Sequence, residues 1–104
     1  MTRPGKTYII QTDDGPESKN VFLTWDTDDN YYTTVESIDE INECDLHDTI
    51  ESAESRARDA DSSTFGGWNW APMRIVELLN FDDVYNNGDE PDLIEIRTIS
   101  FKRT

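Results

Sequence analysis

The chain has a single cysteine, Cys44, among its 104 residues. One cysteine excludes an intramolecular disulfide, a CxxC redox site and a zinc ribbon, because each of these needs at least two. A reducing compartment is the simplest interpretation. The N-terminal segment also lacks a long apolar run. Its apolar stretch is only three residues long, 8–10, which is far short of a signal-peptide core or a membrane span. We therefore expect a cytoplasmic protein, and for a viral protein the cytoplasm of the host cell.

Basic residues are scarce. Nine lysines and arginines face 23 aspartates and glutamates, which gives a formal net charge of −14 and an isoelectric point near 4.1. This charge disfavours direct binding to nucleic acid and to anionic membranes. Self-repulsion of this size costs stability, and it is usually tolerated where solubility or a positively charged partner requires it. The composition predicts a partner with a basic surface.

Hydrophobic residues are also few, at 35% of the chain, against roughly 45–50% in typical domains. A chain of 104 residues has the length of one domain with a thin core. Aromatic residues, 11% of the total, supply large side chains for that core. We predict a single acidic α+β domain over residues 1–104.

The apolar pattern predicts an antiparallel sheet of about five strands and one main helix, in the order βββαββ. Residues 8–10 form the first short strand, the second starts near Asn20, and the third covers residues 31–35. These three strands are expected to form a meander. Val21, Leu23 and Trp25 alternate on one face of the second strand, so we expect Trp25 to be buried.

The main helix is expected to begin near Ser37, because Ser37 and Glu40 have the spacing of a capping box. It is expected to end near Asp61. Five apolar residues recur at steps of four and three on one narrow stripe: Leu46, Ile50, Ala53, Ala57 and Ala60. Ile38 and Ile41 are out of phase with this stripe. A break in the helix is therefore expected near Cys44 and Asp45.

The C-terminal third is less clearly patterned. Residues 73–81 fit either a short helix after Pro72 or a buried strand, and we favour the strand because the last segment needs a partner. Residues 82–92 are polar and contain the turn signal Asn86-Asn87-Gly88. Residues 93–101 form the clearest strand, and a shift of apolar phase after Ile96 indicates a bulge or a strand covered on both sides.

One segment resembles part of a calcium loop. Asp26, Asp28 and Asn30 match the first three ligand positions of an EF-hand. Tyr31 replaces the glycine of the sharp turn and Ser37 replaces the bidentate glutamate. The segment is therefore predicted to be a solvated hairpin turn, and we expect no metal site.

His47 is the only histidine, and it lies close to Cys44, Asp45 and Asp48. A cysteine–histidine nucleophile or a metal cluster has to be considered. Nothing apolar nearby would desolvate these groups, and one cysteine with one histidine cannot complete a structural zinc site. We interpret the segment as a partly exposed helix surface.

No catalytic motif is present. The chain has no Walker-type glycine loop, no GxSxG and no GxGxxG. Adjacent acids such as Asp13 and Asp14, or Asp82 and Asp83, lie in turn-forming sequence where they stay hydrated, so they lack the perturbation that acid–base catalysis needs. We predict a protein that is not an enzyme and that carries no cofactor.

Acidic residues occupy the predicted turns and the outer faces of the helix. Spaced carboxylates can present an array comparable to duplex DNA, whose axis carries one charge per ~1.7 Å. The predicted partner-binding acids are Asp28, Asp29, Asp39, Glu40, Glu43, Asp48, Glu51 and Glu54. Within the aromatic segment 65–70, Trp68 and Trp70 are added as candidate interface anchors, although in a small domain at least one of them is expected in the core.

In charge, size and mixed α+β pattern the whole chain resembles the small DNA-mimic inhibitors of phages and mobile elements, of the anti-CRISPR and anti-restriction type. The resemblance is to a class and carries over no individual residue. It implies a protein that binds and inhibits a basic nucleic-acid-binding protein, such as a defence nuclease. The alternatives are an immunity-type or other acidic protein-binding module, and halophilic adaptation, since aspartate exceeds glutamate and lysine is rare.

Overall fold

The computed structural model of the chain describes residues 5–13, 20–63 and 72–99. These ranges contain five strands: β1 (Tyr8–Asp13), β2 (Asn20–Asp26), β3 (Tyr31–Val35), β4 (Met73–Leu78) and β5 (Leu93–Ile99). The helices are α1 (Ile50–Ser63) and α2 (Phe81–Asn87), and two 3-10 turns, Ile38–Glu40 and Glu43–Asp45, precede α1. No helix within these ranges has the length and apolar character needed to cross a membrane.

The strands form one antiparallel sheet in the order β3-β2-β1-β4-β5. The first three strands make the predicted meander, and β4 pairs with the free side of β1. The predicted α+β class with a five-stranded antiparallel sheet is confirmed. The strand interpretation of residues 73–81 is confirmed for β4, because β4 pairs with β1 on one side and with β5 on the other.

Both faces of the sheet are covered. On one face, called here the helix face, α1 lies close to the strands because its inward residues are small: Ala53, Ala57 and Ala60 are completely buried. On the other face, called the turn face, the 3-10 turns and α2 cover a second cluster that includes Phe22, Ile38, Ile41, Leu46, Val76 and Phe81. The alternation of β1 explains the two layers, since Ile9 and Ile10 contribute to opposite clusters.

The chain crosses from the turn face to the helix face between β1 and β2. These two strands pair only through Gln11–Asp13 and Asn20–Phe22. Farther along β1, Tyr8 exchanges two backbone hydrogen bonds with His47 instead, at 2.8 and 2.9 Å. Leu46 belongs to the turn-face cluster and Ala53 to the helix-face cluster, so the crossing lies between them.

The helix begins later than the sequence predicted. α1 starts at Ile50, and the predicted start at Ser37 is wrong. Ser37 makes no side-chain capping hydrogen bond to the backbone, because its hydroxyl donates to the carboxylate of Asp39. The predicted break near Cys44 and Asp45 is confirmed, since the second 3-10 turn ends there before the chain crosses the sheet.

Residues 82–92 were predicted to be a turn region, and this is wrong for their first half, which forms most of α2. The helix is short and polar, and it is anchored by Phe81, which is buried and stacks on Tyr85 with ring centroids 4.5 Å apart. Gly88 ends the helix in a left-handed conformation, with φ of 72°. The Asn-Asn-Gly signal therefore marks a helix C-terminus instead of a hairpin turn.

The predicted irregularity in the last strand is a β-bulge. Ile75 pairs with Arg97 while Val76 pairs with Glu95, which leaves Ile96 as the extra residue. The alternative of a strand covered on both sides is wrong, because β5 is an edge strand and Ile96 is 38% exposed. Trp25 was expected to be buried, but it is only partly buried against the helix-face cluster.

Candidate functional site

The β2–β3 hairpin presents acids at one end of the sheet. The Asp26 carboxylate closes the turn, because its Oδ1 accepts hydrogen bonds from the backbone amides of Asp28 and Asp29 at 2.9 and 3.2 Å. Asn30, with φ of 56°, donates its amide to the Asp26 carbonyl. The segment is thus a hairpin turn, as the sequence indicated, and Asp28 and Asp29 are exposed at its tip.

The 3-10 turns hold three more of the predicted acids, which are not on a helix as expected. Asp39, Glu40 and Glu43 are all exposed. Buried side chains fix the backbone that carries them: Ile38 and Ile41 pack into the turn-face cluster. These three carboxylates therefore project from an anchored segment of the chain.

Asn42 attaches this segment to β2. Its amide donates to the Thr24 hydroxyl at 2.7 Å, and its side chain donates to the Trp25 carbonyl at 3.3 Å. The Asn42 side chain also accepts from the amide of Cys44 and so caps the second 3-10 turn. Asn42 thus links the two turns to β2, in addition to the buried isoleucines.

Two stretches of sequence without lysine or arginine meet on the turn face. They cover residues 20–55 and 75–96. The Tyr85 hydroxyl of α2 donates to the carbonyl of Ile38 at 2.8 Å and joins the two stretches. A groove of about 350 Å³ follows this contact, and Glu36, Asp39 and Asp89 are among its lining residues.

A second depression, of about 300 Å³, lies between the first 3-10 turn and the hairpin, because Glu40 and Asp26 both line it. Acidic side chains therefore extend from the hairpin tip across the 3-10 turns to the end of α2. We call this surface the acidic face and define it by its exposed members: Asp28, Asp29, Glu36, Asp39, Glu40, Glu43 and Asp89.

The basic residues of the described ranges are all paired with acids outside the acidic face. Five such residues are described, and each has a nitrogen within 4.0 Å of a carboxylate oxygen. The pairs are Lys6–Glu77, Arg56–Asp45, Arg58–Glu54, Arg74–Asp13 and Arg97–Glu54. The acidic face thus has no ion pair with these five cations.

The outer surface of α1 has a different character from the one predicted. Glu54, predicted to bind the partner, accepts from both Arg58 and Arg97, and these contacts lower the pKa of its carboxyl. Asp48 lies before the helix and Glu51 in its first turn, both exposed. The helix surface is consequently mixed in charge, because Glu54 is paired with two arginines.

A buried ion pair, which the sequence did not indicate, lies behind the acidic face. Asp45 is 1% exposed, and its Oδ1 accepts from Arg56 Nε at 2.7 Å. Its Oδ2 accepts from the amide of Trp25 at 2.8 Å and from the Thr24 hydroxyl at 3.1 Å. Burial of a carboxylate is tolerated only with such compensation. The pairing of β1 with β2 extends only as far as Phe22, so the Trp25 amide lies beyond it. The Asp45 carboxylate accepts the hydrogen bond that a carbonyl of β1 would otherwise accept.

The Arg56 guanidinium lies against two aromatic rings, 4.9 Å from the centroid of Tyr32 and 5.9 Å from that of Trp25. A cation that lies against the face of an aromatic ring is attracted to it electrostatically. Burial of Tyr32 and the hydrogen bond that its hydroxyl donates to Asp59 raise its pKa well above the usual range. The phenol thus stays neutral, and the cluster stabilises the fold without exposing a reactive group.

Cys44 and His47 do not form a nucleophile pair. Cys44 Sγ contacts Arg56 Nη2 at 3.2 Å and Asp45 Oδ2 at 3.6 Å, and partial burial followed by the Asp45 charge raises the thiol pKa. A nucleophilic cysteine needs the opposite shift. The predicted exposed helix surface is wrong for His47, which is buried before α1 and places Nδ1 2.9 Å from Ser52 Oγ.

Two of the predicted site residues, Trp68 and Trp70, lie outside the described residues, as does the rest of segment 65–70. Among the residues that are described, no three histidine, cysteine, aspartate or glutamate side chains are placed to share a metal ion. Comparisons of the chain with protein-family models, with curated proteins and with solved structures found no match.

Proposed function

We propose that this protein binds the basic nucleic-acid site of another protein and excludes nucleic acid from it, as a DNA mimic does. The observation that carries this proposal is the acidic face, in which carboxylates from three separate segments form one surface while the described cations are paired elsewhere. The partner class that fits is a nuclease or another DNA-processing protein of a defence system, acting in the cytoplasm of the host cell.

The rigidity of the acidic face supports binding to a preformed groove. Its acids lie on a hairpin tip closed by Asp26, on 3-10 turns fixed to β2, and beside the capped end of α2. Charges held at fixed positions lose little conformational entropy when they bind, and this favours affinity. A flexible acidic tail would lack this advantage.

We infer binding instead of catalysis from the state of the titratable groups. Both oxygens of the buried Asp45 carboxylate accept hydrogen bonds. The pKa values of the Cys44 thiol and the Tyr32 phenol are raised, which favours their neutral forms. A general base or nucleophile needs a poised and accessible group. The Asp45–Arg56 cluster has the properties of a structural element.

Displacement of labelled duplex DNA tests the proposal. Purified nucleic-acid-binding enzymes, including CRISPR nucleases and restriction endonucleases, are each loaded with fluorescent duplex, and this protein is then titrated in. We expect one of these enzymes to release its DNA when one equivalent of this protein has been added. We also expect an excess of duplex to reverse the inhibition of that enzyme. The affinity should fall steeply with added salt, since screening shortens to about 8 Å at physiological ionic strength.

Two outcomes would overturn the proposal. One is binding to such an enzyme without displacement of DNA, which would indicate a conventional interface as in an immunity-type module. The other is affinity that is unchanged by salt, because an interface between charge arrays cannot be insensitive to screening. The direct binding of DNA to this protein, measured in the same titration, provides the control.

A further inference from the structure

The groove at the end of the acidic face has a floor and a rim of different chemistry. Phe22 and Ile38 are buried at its base, and the partly buried side chains of Val84 and Tyr85 continue the apolar surface. The rim is polar and exposed, and its acids are Glu36, Asp39 and Asp89. An apolar floor beneath carboxylates suits a ligand that is itself apolar along its length and cationic at its end.

The walls of the groove are held by the fold. The hydrogen bond from the Tyr85 hydroxyl to the Ile38 carbonyl fixes the distance between α2 and the first 3-10 turn. At the other end Gly88 caps α2, and the amide of Asp89 donates to the carbonyl of Asp83 at 3.2 Å. Asp39 and Asp89 therefore belong to two different anchored walls, one formed by the first 3-10 turn and the other by the end of α2.

We propose that this groove binds an arginine side chain from the surface of the partner. The inference rests on the proposed function and adds to it the chemistry of one contact. The three methylenes of arginine pack on the apolar floor while the guanidinium remains at the acidic rim. Its planar fork donates to carboxylates on both walls.

Arginine fits the groove better than the other cations that a nucleic-acid site offers. Lysine ends in a compact and strongly hydrated charge, which gains less from an aromatic lining such as Tyr85. Arginine stacks on aromatic rings and bonds two acceptors at once. A groove of about 350 Å³ is at the lower end of ligand-site volumes of roughly 300–1,000 Å³, so it is large enough for one long side chain and too small for a folded segment.

The test uses a blocked pentapeptide with one central arginine between glycines, and an identical peptide with citrulline, which has the same shape and no charge. Both are titrated into ¹⁵N-labelled protein, and amide shifts are followed by NMR. The proposal expects saturable shifts for the arginine peptide at Phe22, Ser37, Tyr85 and Gly88. We expect the citrulline peptide to bind on the order of ten-fold more weakly, because its neutral urea group makes weaker hydrogen bonds to carboxylates than a charged guanidinium does.

Two variants with the same change in net charge give the matched comparison. Asp39→Asn with Asp89→Asn removes a carboxylate from each wall, whereas Asp48→Asn with Glu51→Gln removes two exposed carboxylates outside the acidic face. The first pair of substitutions is expected to weaken arginine-peptide binding about ten-fold, and the second pair less than about two-fold. Equal losses would show that only the overall charge attracts the peptide and would overturn the proposal.

Free guanidinium ion, which has the charge and planar fork of arginine without its methylenes, separates a groove from a charged surface. If it shifts the same amides as tightly as the peptide does, the apolar floor contributes nothing and the proposal fails. The DNA-displacement titration distinguishes this failure from failure of the proposed function. If the protein displaces DNA but does not bind the arginine peptide, the proposed DNA mimicry stands and the arginine site in the groove is refuted. If it binds the peptide but displaces no DNA, only the proposed DNA mimicry is refuted.

Discussion

Arg56 Nε lies 2.7 Å from Oδ1 of Asp45, and this pair joins α1 to the second 3-10 turn at the point where the chain crosses the sheet. The same carboxylate binds Thr24 and the Trp25 amide of β2. One buried group thus connects the helix, the turn segment and the sheet. The positions of Asp39, Glu40 and Glu43 depend on this connection, because they lie on the segment that it fixes.

Replacement of Asp45 by Asn should therefore destabilise the protein strongly. It leaves Arg56 without its counter-ion. Loss of one partner of a fully buried pair costs about 3–5 kcal/mol, and the cost here should lie at or below the lower end because the Arg56 side chain is 26% exposed. Urea unfolding followed by tryptophan fluorescence measures the change. The matched control is Arg58→Gln, which breaks an exposed pair and should leave the unfolding midpoint nearly unchanged. Similar midpoints for the two variants would contradict the structural role of Asp45.

Tyr32 should make stability fall in alkaline solution. Its pKa is raised in the folded state by burial and by the hydrogen bond to Asp59, whereas an unfolded tyrosine titrates near pH ~10. The unfolded chain therefore loses this proton first. The contribution of Tyr32 is complete below about pH 10 and is lost as the pH rises towards the folded-state pKa, by up to about 1.4 kcal/mol per pH unit.

Comparison with Tyr32→Phe isolates this effect. The free energy of unfolding is measured at a pH of about 9 and of about 11, and the variant should show the smaller decrease because phenylalanine cannot ionise. Cys44, whose raised pKa acts in the same direction, is present in both proteins and cancels. Parallel decreases in the two proteins would show that Tyr32 does not carry the perturbed proton.

Gly88→Ala should lower stability by about 1 kcal/mol through the backbone alone, because alanine disfavours the left-handed conformation. A Cβ at this position would have no heavy atom within 4 Å, so no clash contributes. Thermal unfolding measures the loss, and Asn87→Ala provides the control one residue earlier in the helix. Gly88→Asn should lose less, since asparagine tolerates φ near 72°. An unchanged midpoint for Gly88→Ala would contradict the observed helix cap.

Local patterns predicted most of the sheet. The alternation of β2, the turn at Asp26 and the phase shift at Ile96 are read from neighbouring residues, and each has its counterpart in the structure. The stripe of small residues in α1 is equally local. α2 was missed because a seven-residue helix with one buried anchor, Phe81, has too few apolar positions to show a period.

The candidate site was less predictable because it depends on contacts distant in sequence. Asp45 binds groups 20 and 11 residues away, so nothing in the sequence around it signals burial. The only local indication for Arg56 is its place beside Ala57 in the apolar stripe. The acids of residues 39–43 were assigned to a helix because Ser37 imitates a capping box, and the structure places them on 3-10 turns that belong to the opposite face of the sheet.

The most direct test of the acidic face compares two isosteric sets of substitutions in the DNA-displacement titration. Asp39→Asn, Glu40→Gln and Glu43→Gln neutralise the acidic face, whereas Asp48→Asn, Glu51→Gln and Glu54→Gln make the same change of charge at and near α1. We predict that the first set weakens binding to the enzyme about ten-fold or more, equivalent to roughly 1.4 kcal/mol, and reduces the salt dependence. We predict a clearly smaller effect for the second set. Equal losses, or a larger loss for the set around α1, would contradict this prediction.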